Sequence, residues 1–126
     1  MTPTEPTSAT LETYLRLAAT REKIISSNMA NIDTPGYRTR DINFESELNS
    51  AMSAASFKTA DGTEQPLQIL PVVRQIQGLM ERPDGNNISL DRQGLEMAET
   101  QLRYQLAIQL LKRHFHQSLS AIQGGS

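Results

Sequence analysis

The 126-residue sequence contains no cysteine and no tryptophan, and only three tyrosines and three phenylalanines. The missing cysteines exclude disulfides, thiolate metal sites and cysteine nucleophiles, and they leave the redox compartment open. Neither charge dominates: twelve basic residues against fourteen acidic ones give a net charge of −2, which provides no general electrostatic attraction to nucleic acid or anionic membranes. Because aromatic and apolar residues are scarce, we expect part of the chain to become ordered only on meeting a partner.

The sequence also lacks any long apolar run. Residues 1–9, "MTPTEPTSA", have almost nothing to bury, and we expect them to form a flexible tail. This N-terminus has neither the charged nor the apolar region of a cleavable secretory signal peptide, and no segment predicts direct membrane insertion. Residues 10–126 are enough for a single domain with a modest core.

Two long amphipathic helices are predicted at the two ends of the chain, over residues 10–33 and 89–123. Apolar side chains recur at spacings of three and four residues in both, which indicates one packed seam along each helix. The first seam comprises Leu11, Leu15, Ala18, Ile25, Met29 and Ile32, and the second Tyr104, Ile108, Leu111, Phe115 and Ile122, with Leu102, Leu106 and Leu110 expected to widen it. Ser89 or Asp91 is the candidate cap of the second helix.

The middle of the chain predicts less regular structure. Residues 34–48 should form a Pro-Gly corner followed by an extended or short helical segment, and residues 49–88 a variable region with weak β structure. Within it, residues 49–65 are small and polar and should be flexible. Residues 66–73 suit a strand that Pro71 interrupts, and "RPDGNN" at residues 82–87 is a turn signal that could sit in a short hairpin. The predicted fold class is therefore mainly α: a coiled-coil-like pair of terminal helices with a short irregular or β-hairpin middle segment.

The stretch "SSNMANIDTPGYRTRD", residues 26–41, stops the first helix sharply. Pro35 disfavours helical geometry at the residue before it, and Pro35 with Gly36 suits the centre of a type II turn. Asn31 could end the helix in the left-handed conformation, while Asn28 could bond last-turn carbonyls or a neighbouring chain. On physical grounds alone, an ordinary helix end and turn explains this stretch.

A resemblance adds to that interpretation. The pattern Asn-x-Ala-Asn-x-x-Thr-Pro-Gly-Tyr resembles the N-terminal signature of bacterial flagellar rod, hook and related axial proteins; its members here are Asn28, Ala30, Asn31, Thr34, Pro35, Gly36 and Tyr37. The continuation "RTRDINFESEL", the "DGNNISLDRQ" turn and the C-terminal "MAETQLRYQLAIQLLKRHF" resemble the small proximal rod members of that family.

The resemblance implies a structural subunit of the flagellar basal body. Its terminal helices would pack with those of other subunits into a periplasmic rod that transmits torque from motor to hook. The implied partners are further copies, other rod proteins, and the adaptor and export-gate proteins at the rod base. Export would use the flagellar type III apparatus, without a cleaved signal peptide.

The residues expected to contact neighbouring subunits form the corner: Asn28, Ala30, Asn31, Thr34, Pro35, Gly36, Tyr37, Arg38, Arg40 and Asp41. The two apolar seams would form the packed inner wall of the assembly. A small core and two seams at opposite ends also predict that the isolated monomer is partly unfolded. No cofactor is expected.

Other functions have weaker support in the sequence. His114 and His116 are two residues apart, so on a helix they face different directions and do not form a metal pair. Asp91, Glu96 and Glu99 could resemble an acid/base cluster, but carboxylates early in a helix are usually dipole partners or solvated charges, so an enzyme is not expected. The alternative function is a soluble coiled-coil adaptor or secretion chaperone acting as a dimer. Size and seams fit it equally well, whereas the Pro-Gly corner does not.

Overall fold

The computed structural model describes residues 8–55 and 70–124. The elements along the chain are helix α1 (Ser8–Ala30), strand β1 (Arg40–Ile42), helix α2 (Phe44–Ala55), strand β2 (Val73–Gln75) and helix α3 (Leu90–Gly124). Helices α1 and α3 pack together, and α2 and β1 both pack against α1. The predicted fold, mainly helical with paired terminal helices and a little β structure between them, is confirmed.

Helices α1 and α3 run antiparallel. The side chain of Gln93 near the start of α3 meets Asn28 near the end of α1, while Gln101, further along α3, meets Glu22, further back along α1. Helix α3 has 35 residues and α1 has 23. At a rise of 1.5 Å per residue this difference is roughly 18 Å, so α3 continues well beyond the first described turn of α1.

The core lies where α1, β1, α2 and α3 meet. Its buried members are Leu17, Ala18, Ile42 and Phe44, and the half-buried Tyr14, Ile24, Leu48 and Tyr104 pack around them. The ring of Tyr14 meets the ring of Phe44 edge to face, with centroids 4.8 Å apart. The guanidinium of Arg103 on α3 lies 5.4 Å from the Phe44 centroid, close enough for a cation–π contact. Phe44, the first residue of α2, therefore holds the middle of the chain against both long helices.

An ion pair between Arg21 and Asp41 joins α1 to β1. Two guanidinium nitrogens donate to the two carboxylate oxygens, both at 3.2 Å, and both side chains are largely buried. Burial opposes the charged guanidinium, but the hydrogen bond and the negative charge of Asp41 outweigh it and raise the pKa of Arg21. The same carboxylate accepts the backbone N–H of Ile42 at 2.7 Å. The paired, bidentate geometry therefore orients the first strand on the helix.

Several predicted boundaries differ from the structure. Ser8 and Ala9 belong to α1 and not to a tail, and α1 ends at Ala30, three residues before the predicted end. Residues 49–55, expected to be flexible, form the second half of α2. Asn43 caps this helix, since its side-chain oxygen accepts the N–H of Ser46 at 3.1 Å, and Glu45 and Glu47 in the first turn complement the helix dipole. Residues 1–7 of the predicted tail and 56–65 of the predicted flexible segment lie outside the described residues.

The predicted hairpin around residues 82–87 is wrong, although the turn itself is present. The N–H of Gly85 donates to the Arg82 carbonyl at 2.9 Å, and the N–H of Arg82 donates to the Asn86 carbonyl at 2.8 Å. No strands flank this turn. Instead β1 pairs antiparallel with the distant β2, and Arg40 stands opposite Gln75. Asn86 and Asn87 form hydrogen bonds with the segment after α1, described below, and not with a neighbouring strand.

Two expectations about α3 also change. Leu102 and Leu106 do not widen the α1-facing seam, because 100° per residue places them on the other side of the helix, where they are 69% and 58% exposed. Leu110 lies at the edge of the seam and is 37% exposed. Phe115 and Ile122 are also exposed, because they follow the part of α3 that α1 covers. Elsewhere in the predicted seams, Leu11, Ala18 and Ile25 are buried, and Leu15, Met29, Ile32, Tyr104, Ile108 and Leu111 are half-buried. Ser89 caps α3, since its hydroxyl oxygen accepts the N–H of Arg92 at 3.3 Å.

Candidate functional site

The corner after α1 is built on a tight turn. The N–H of Tyr37 donates to the carbonyl of Thr34 at 3.2 Å, with Pro35 and Gly36 between them. Gly36 has a φ of 73°, the positive value that the third residue of a type II turn requires. The predicted turn is confirmed, and it sends the chain away from the axis of α1.

The predicted left-handed conformation of Asn31 is wrong. Only glycines have positive φ among the described residues. The Asn31 side-chain amide instead donates to the carbonyl of Ser27 at 2.8 Å, and its side-chain oxygen accepts the hydroxyl of Thr34 at 3.0 Å. Asn31 therefore stabilises the last turn of α1 and the start of the corner through its side chain and not through its backbone conformation.

The segment that follows α1 is held from the other loop of the molecule by Asn86, which is fully buried. Its amide nitrogen lies 3.0, 3.0 and 2.9 Å from the carbonyl oxygens of Asn31, Ile32 and Thr34. Its side-chain oxygen accepts the N–H of Ile88 at 2.8 Å. These three carbonyls belong to residues that follow the end of α1 at Ala30, so this one amide holds the chain between the helix and the Pro-Gly turn.

The two loops lie side by side along their length. The N–H of Gly36 donates to the carbonyl of Asp84 at 2.9 Å. The N–H of Thr39 donates to the side-chain oxygen of Asn87 at 2.7 Å, and the Thr39 hydroxyl donates to the Asn87 carbonyl at 3.2 Å. A Cβ atom on Gly85 would stand 3.5 Å from the Cα of Gly36, so the two glycine turns are in direct contact. Sequence reasoning missed this partnership, since the "DGNN" motif signals a turn without indicating which segment it meets.

Asn28 connects three elements and is fully buried. Its amide donates to the Arg40 carbonyl at 2.8 Å and to the side-chain oxygen of Gln93 at 3.0 Å. Its oxygen accepts the N–H of Arg40 at 3.2 Å and the hydroxyl of Tyr37 at 3.4 Å. Both donors and both acceptor positions are thus used within the chain. Contrary to the prediction, Asn28 presents no surface to a neighbour and instead ties α1 to β1 and α3.

The remaining corner residues divide by exposure. Ala30, Thr34, Pro35, Gly36 and Arg40 are exposed, Asn31, Tyr37 and Arg38 are half-buried, and Asp41 is buried against Arg21. The Arg40 guanidinium lies 5.9 Å from the Tyr37 ring centroid, and Arg38 forms an ion pair with Glu81. The outer surface of the corner is therefore a rigid ridge of small residues flanked by an arginine.

The described residues offer little for catalysis or metal binding. No group of histidines or carboxylates among them is arranged to hold a metal ion. Glu96 pairs with Arg92 at 2.9 Å and Glu99 with Arg103 at 2.8 Å, each one turn away on α3, so these carboxylates are ordinary helix-surface ion pairs. None of the helices in the described part of the chain is long and apolar enough to cross a membrane.

Comparison with known proteins gives a consistent result. The model of the flagella basal body rod protein family matches residues 15–38, which run from α1 through the Pro-Gly turn to Arg38. The chain is 32% identical over 123 residues to the flagellar basal body rod protein FlgB of Salmonella typhimurium, with 89% of each chain covered. It is 33% identical to FlgB of Yersinia enterocolitica, with 88% of this chain and 89% of the relative covered.

A third relative extends the match to another bacterium. FlgB of Cereibacter sphaeroides is 32% identical, over 87% of this chain and 88% of its own. These relatives are structural proteins, so an enzymatic function is not supported and a dimeric adaptor is not favoured. With a family-specific corner and near full-length similarity to rod proteins, the chain belongs to the flagellar basal body rod protein family.

Proposed function

We propose that this chain polymerises through its terminal helices into the proximal part of the periplasmic rod, which transmits torque from motor to hook. One observation carries the proposal: a long helix, α3, keeps large apolar side chains exposed, among them Leu95 at 71%, Leu102 at 69% and Ile122 at 77%. Exposed apolar rows of this kind are typical of surfaces that other protein chains cover.

The corner has a second role in this proposal. Its exposed ridge, formed by Thr34, Pro35 and Gly36 with Arg40 beside it, is held in one shape by Asn86 and Asn28, so it needs little ordering on contact with a neighbour. We expect this ridge to contact an adjacent rod subunit. Adaptor and export-gate proteins at the rod base are the further partners of the proposal, with delivery by the type III export apparatus and without signal cleavage.

The experiment that tests the proposal is quantitative mass spectrometry of detergent-extracted basal bodies. The chain should be present at a constant ratio to the other rod proteins across preparations. It should also be retained in the cytoplasm of cells that lack a working flagellar export apparatus, with its N-terminus uncleaved in both strains.

The soluble adaptor is the competing outcome. It predicts a closed dimer in solution that is absent from washed basal bodies, whereas a rod subunit belongs to an open assembly. Absence from basal bodies together with a discrete soluble dimer would overturn the proposal.

A further inference from the structure

Two polar side chains, Gln93 and Thr100, are buried on the side of α3 that faces α1, with 0% and 1% of their surface exposed. They differ in where they bond. The Thr100 hydroxyl donates to the Glu96 carbonyl of its own helix at 2.7 Å, whereas the side-chain oxygen of Gln93 accepts the amide of Asn28 on α1 at 3.0 Å. Of these two bonds, only the one at Gln93 depends on the position of α1.

The burial of Gln93 also lowers the stability of the chain. Its side-chain nitrogen, Nε2, is buried and has no hydrogen-bond partner among the residues that the structure describes. A buried donor without a partner is destabilising, so an apolar side chain of similar size would suit the interior at least as well. Buried polar side chains that cost stability between paired helices can instead fix the register of the pair.

The apolar seam of α3 does not fix that register. Leu111 follows Tyr104 by seven residues, which is close to two helical turns. A shift of α3 by seven residues, or roughly 10 Å, would place Leu111 where Tyr104 now packs and keep an apolar side chain in the seam. The same shift would replace Gln93 by Thr100 opposite Asn28. Thr100 is shorter and already bonded to its own helix, so the Asn28 amide would lose a partner.

Within one chain, the bonds between the two loops also resist such a shift. They do not act when α1 of one copy meets α3 of another. We propose that the bond between Asn28 and Gln93 specifies the register of α1 and α3, and that it disfavours pairing of α1 with the α3 helix of a second copy in the register shifted by seven residues. This inference concerns the free subunit and does not depend on the proposed function.

The absence of cysteine allows spin labels to be attached at chosen sites. Lys23→Cys on α1 and Ser120→Cys on α3 are suitable because both residues are exposed. Lys23 is adjacent to Glu22, which meets Gln101, so Ser120 lies about 20 residues further along α3 and the two labels are roughly 30 Å apart along the helices. In the shifted register this separation falls to roughly 20 Å. Pulsed electron paramagnetic resonance distinguishes the two distances.

The decisive substitution is Gln93→Met, which removes the unpaired nitrogen together with the bond to Asn28. The Asn28 amide keeps its bond to the Arg40 carbonyl, so the chain should fold. With both labels on one chain, diluted in unlabelled protein, the distance should stay near 30 Å. With the labels on separate copies, the signal between copies should rise about fivefold over the parent, because the shifted pairing is no longer penalised, and its distance should be near 20 Å.

Thr100→Val is the matched control. It removes a polar group from the same buried side of α3 without changing a bond to α1, so the signal between copies should match that of the parent. An unchanged signal in Gln93→Met, or an equal rise in Thr100→Val, would overturn the inference. Failure of Gln93→Met to fold would also overturn it, since Gln93 would then be required for stability and not for the choice of register.

Discussion

The two ends of the α1–α3 pair differ in a way that their composition does not suggest. At the corner end, polar side chains are buried: Asn28 and Asn86 are fully covered, and every one of their side-chain donors and acceptors is engaged. At the far end of α3, apolar side chains such as Phe115 and Ile122 are exposed. Among the residues that the structure describes, the polar end is covered by its own chain and the apolar end is not.

The difference shows that polar side chains can be buried where the chain itself provides their hydrogen-bond partners. The polarity of the residues alone does not tell which end of the helix pair is buried. Two loops distant in the chain provide partners for each other's backbone, so the chain itself holds the corner in place. Near the end of α3, Phe115 and Ile122 follow the part of the helix that α1 covers, and no described residue buries them. In the proposed rod, the corner would be a contact surface that already has its shape in the monomer. The end of α3 would be buried only when a neighbouring subunit packs against it.

The largest expected effect comes from removing the link between the loops. Asn86→Ala would leave the carbonyls of Asn31, Ile32 and Thr34 without the amide that serves them, and should lower the free energy of unfolding by about 3 kcal/mol. Urea unfolding of the purified chain measures it. Asn49→Ala, exposed on α2, is the matched control and should change stability by less than about 0.5 kcal/mol. Equal losses in the two variants would mean that the corner is not held by this side chain.

A moderate effect is expected from changing the turn itself. Gly36→Val forces a β-branched residue to a φ of 73° and should cost about 2 kcal/mol. Nothing lies within 4 Å of the added Cβ, so the loss reflects backbone strain and not a clash. Incorporation into the rod should fall, while expression need not.

Gly94→Ala is the matched control for this change. Gly94 lies on the exposed surface of α3 with open space around it, so alanine there should stabilise the chain by about 0.5–1 kcal/mol through helix propensity. If Gly36→Val lowers the free energy of unfolding and Gly94→Ala raises it, the loss at Gly36 comes from the geometry of the turn and not from replacing a glycine in general. Unchanged rod incorporation of Gly36→Val would argue that assembly does not depend on this turn.

The smallest effect on the monomer should come from the open end. Ile122→Ser removes an exposed side chain and should change the free energy of unfolding by less than about 0.5 kcal/mol, yet it should reduce rod incorporation. Hydrogen exchange in the monomer should be fast at residues 115–124 and slow at Gly36 and Thr39, whose N–H groups are bonded across the two loops. A loss of more than about 1 kcal/mol would show that the end of α3 is packed before assembly, and the contrast between the two ends would disappear.

Local signals predicted part of this structure well. Periodic apolar residues located both long helices, and Pro35 with Gly36 located the turn, because each signal depends on neighbouring residues only. Helix α2 was cut short in the prediction because its small, polar residues resemble a loop, whereas Asn43 and the core contact of Phe44 extend it. Leu102 and Leu106 were assigned to the wrong side of α3, since spacing alone does not say which of two apolar faces meets α1.

By itself, the sequence determined where α1 and α3 lie, where the chain turns sharply, and the resemblance to flagellar axial proteins. The tertiary structure alone decided that Asn86 bonds the segment after α1, more than fifty residues away in the chain, that Asn28 is an internal link, and that β1 pairs with β2. Secondary-structure propensity and apolar periodicity depend on a few neighbouring residues and can therefore be recognised in the sequence. The partner of a buried amide depends on which distant segments the packing of α1 against α3 brings together.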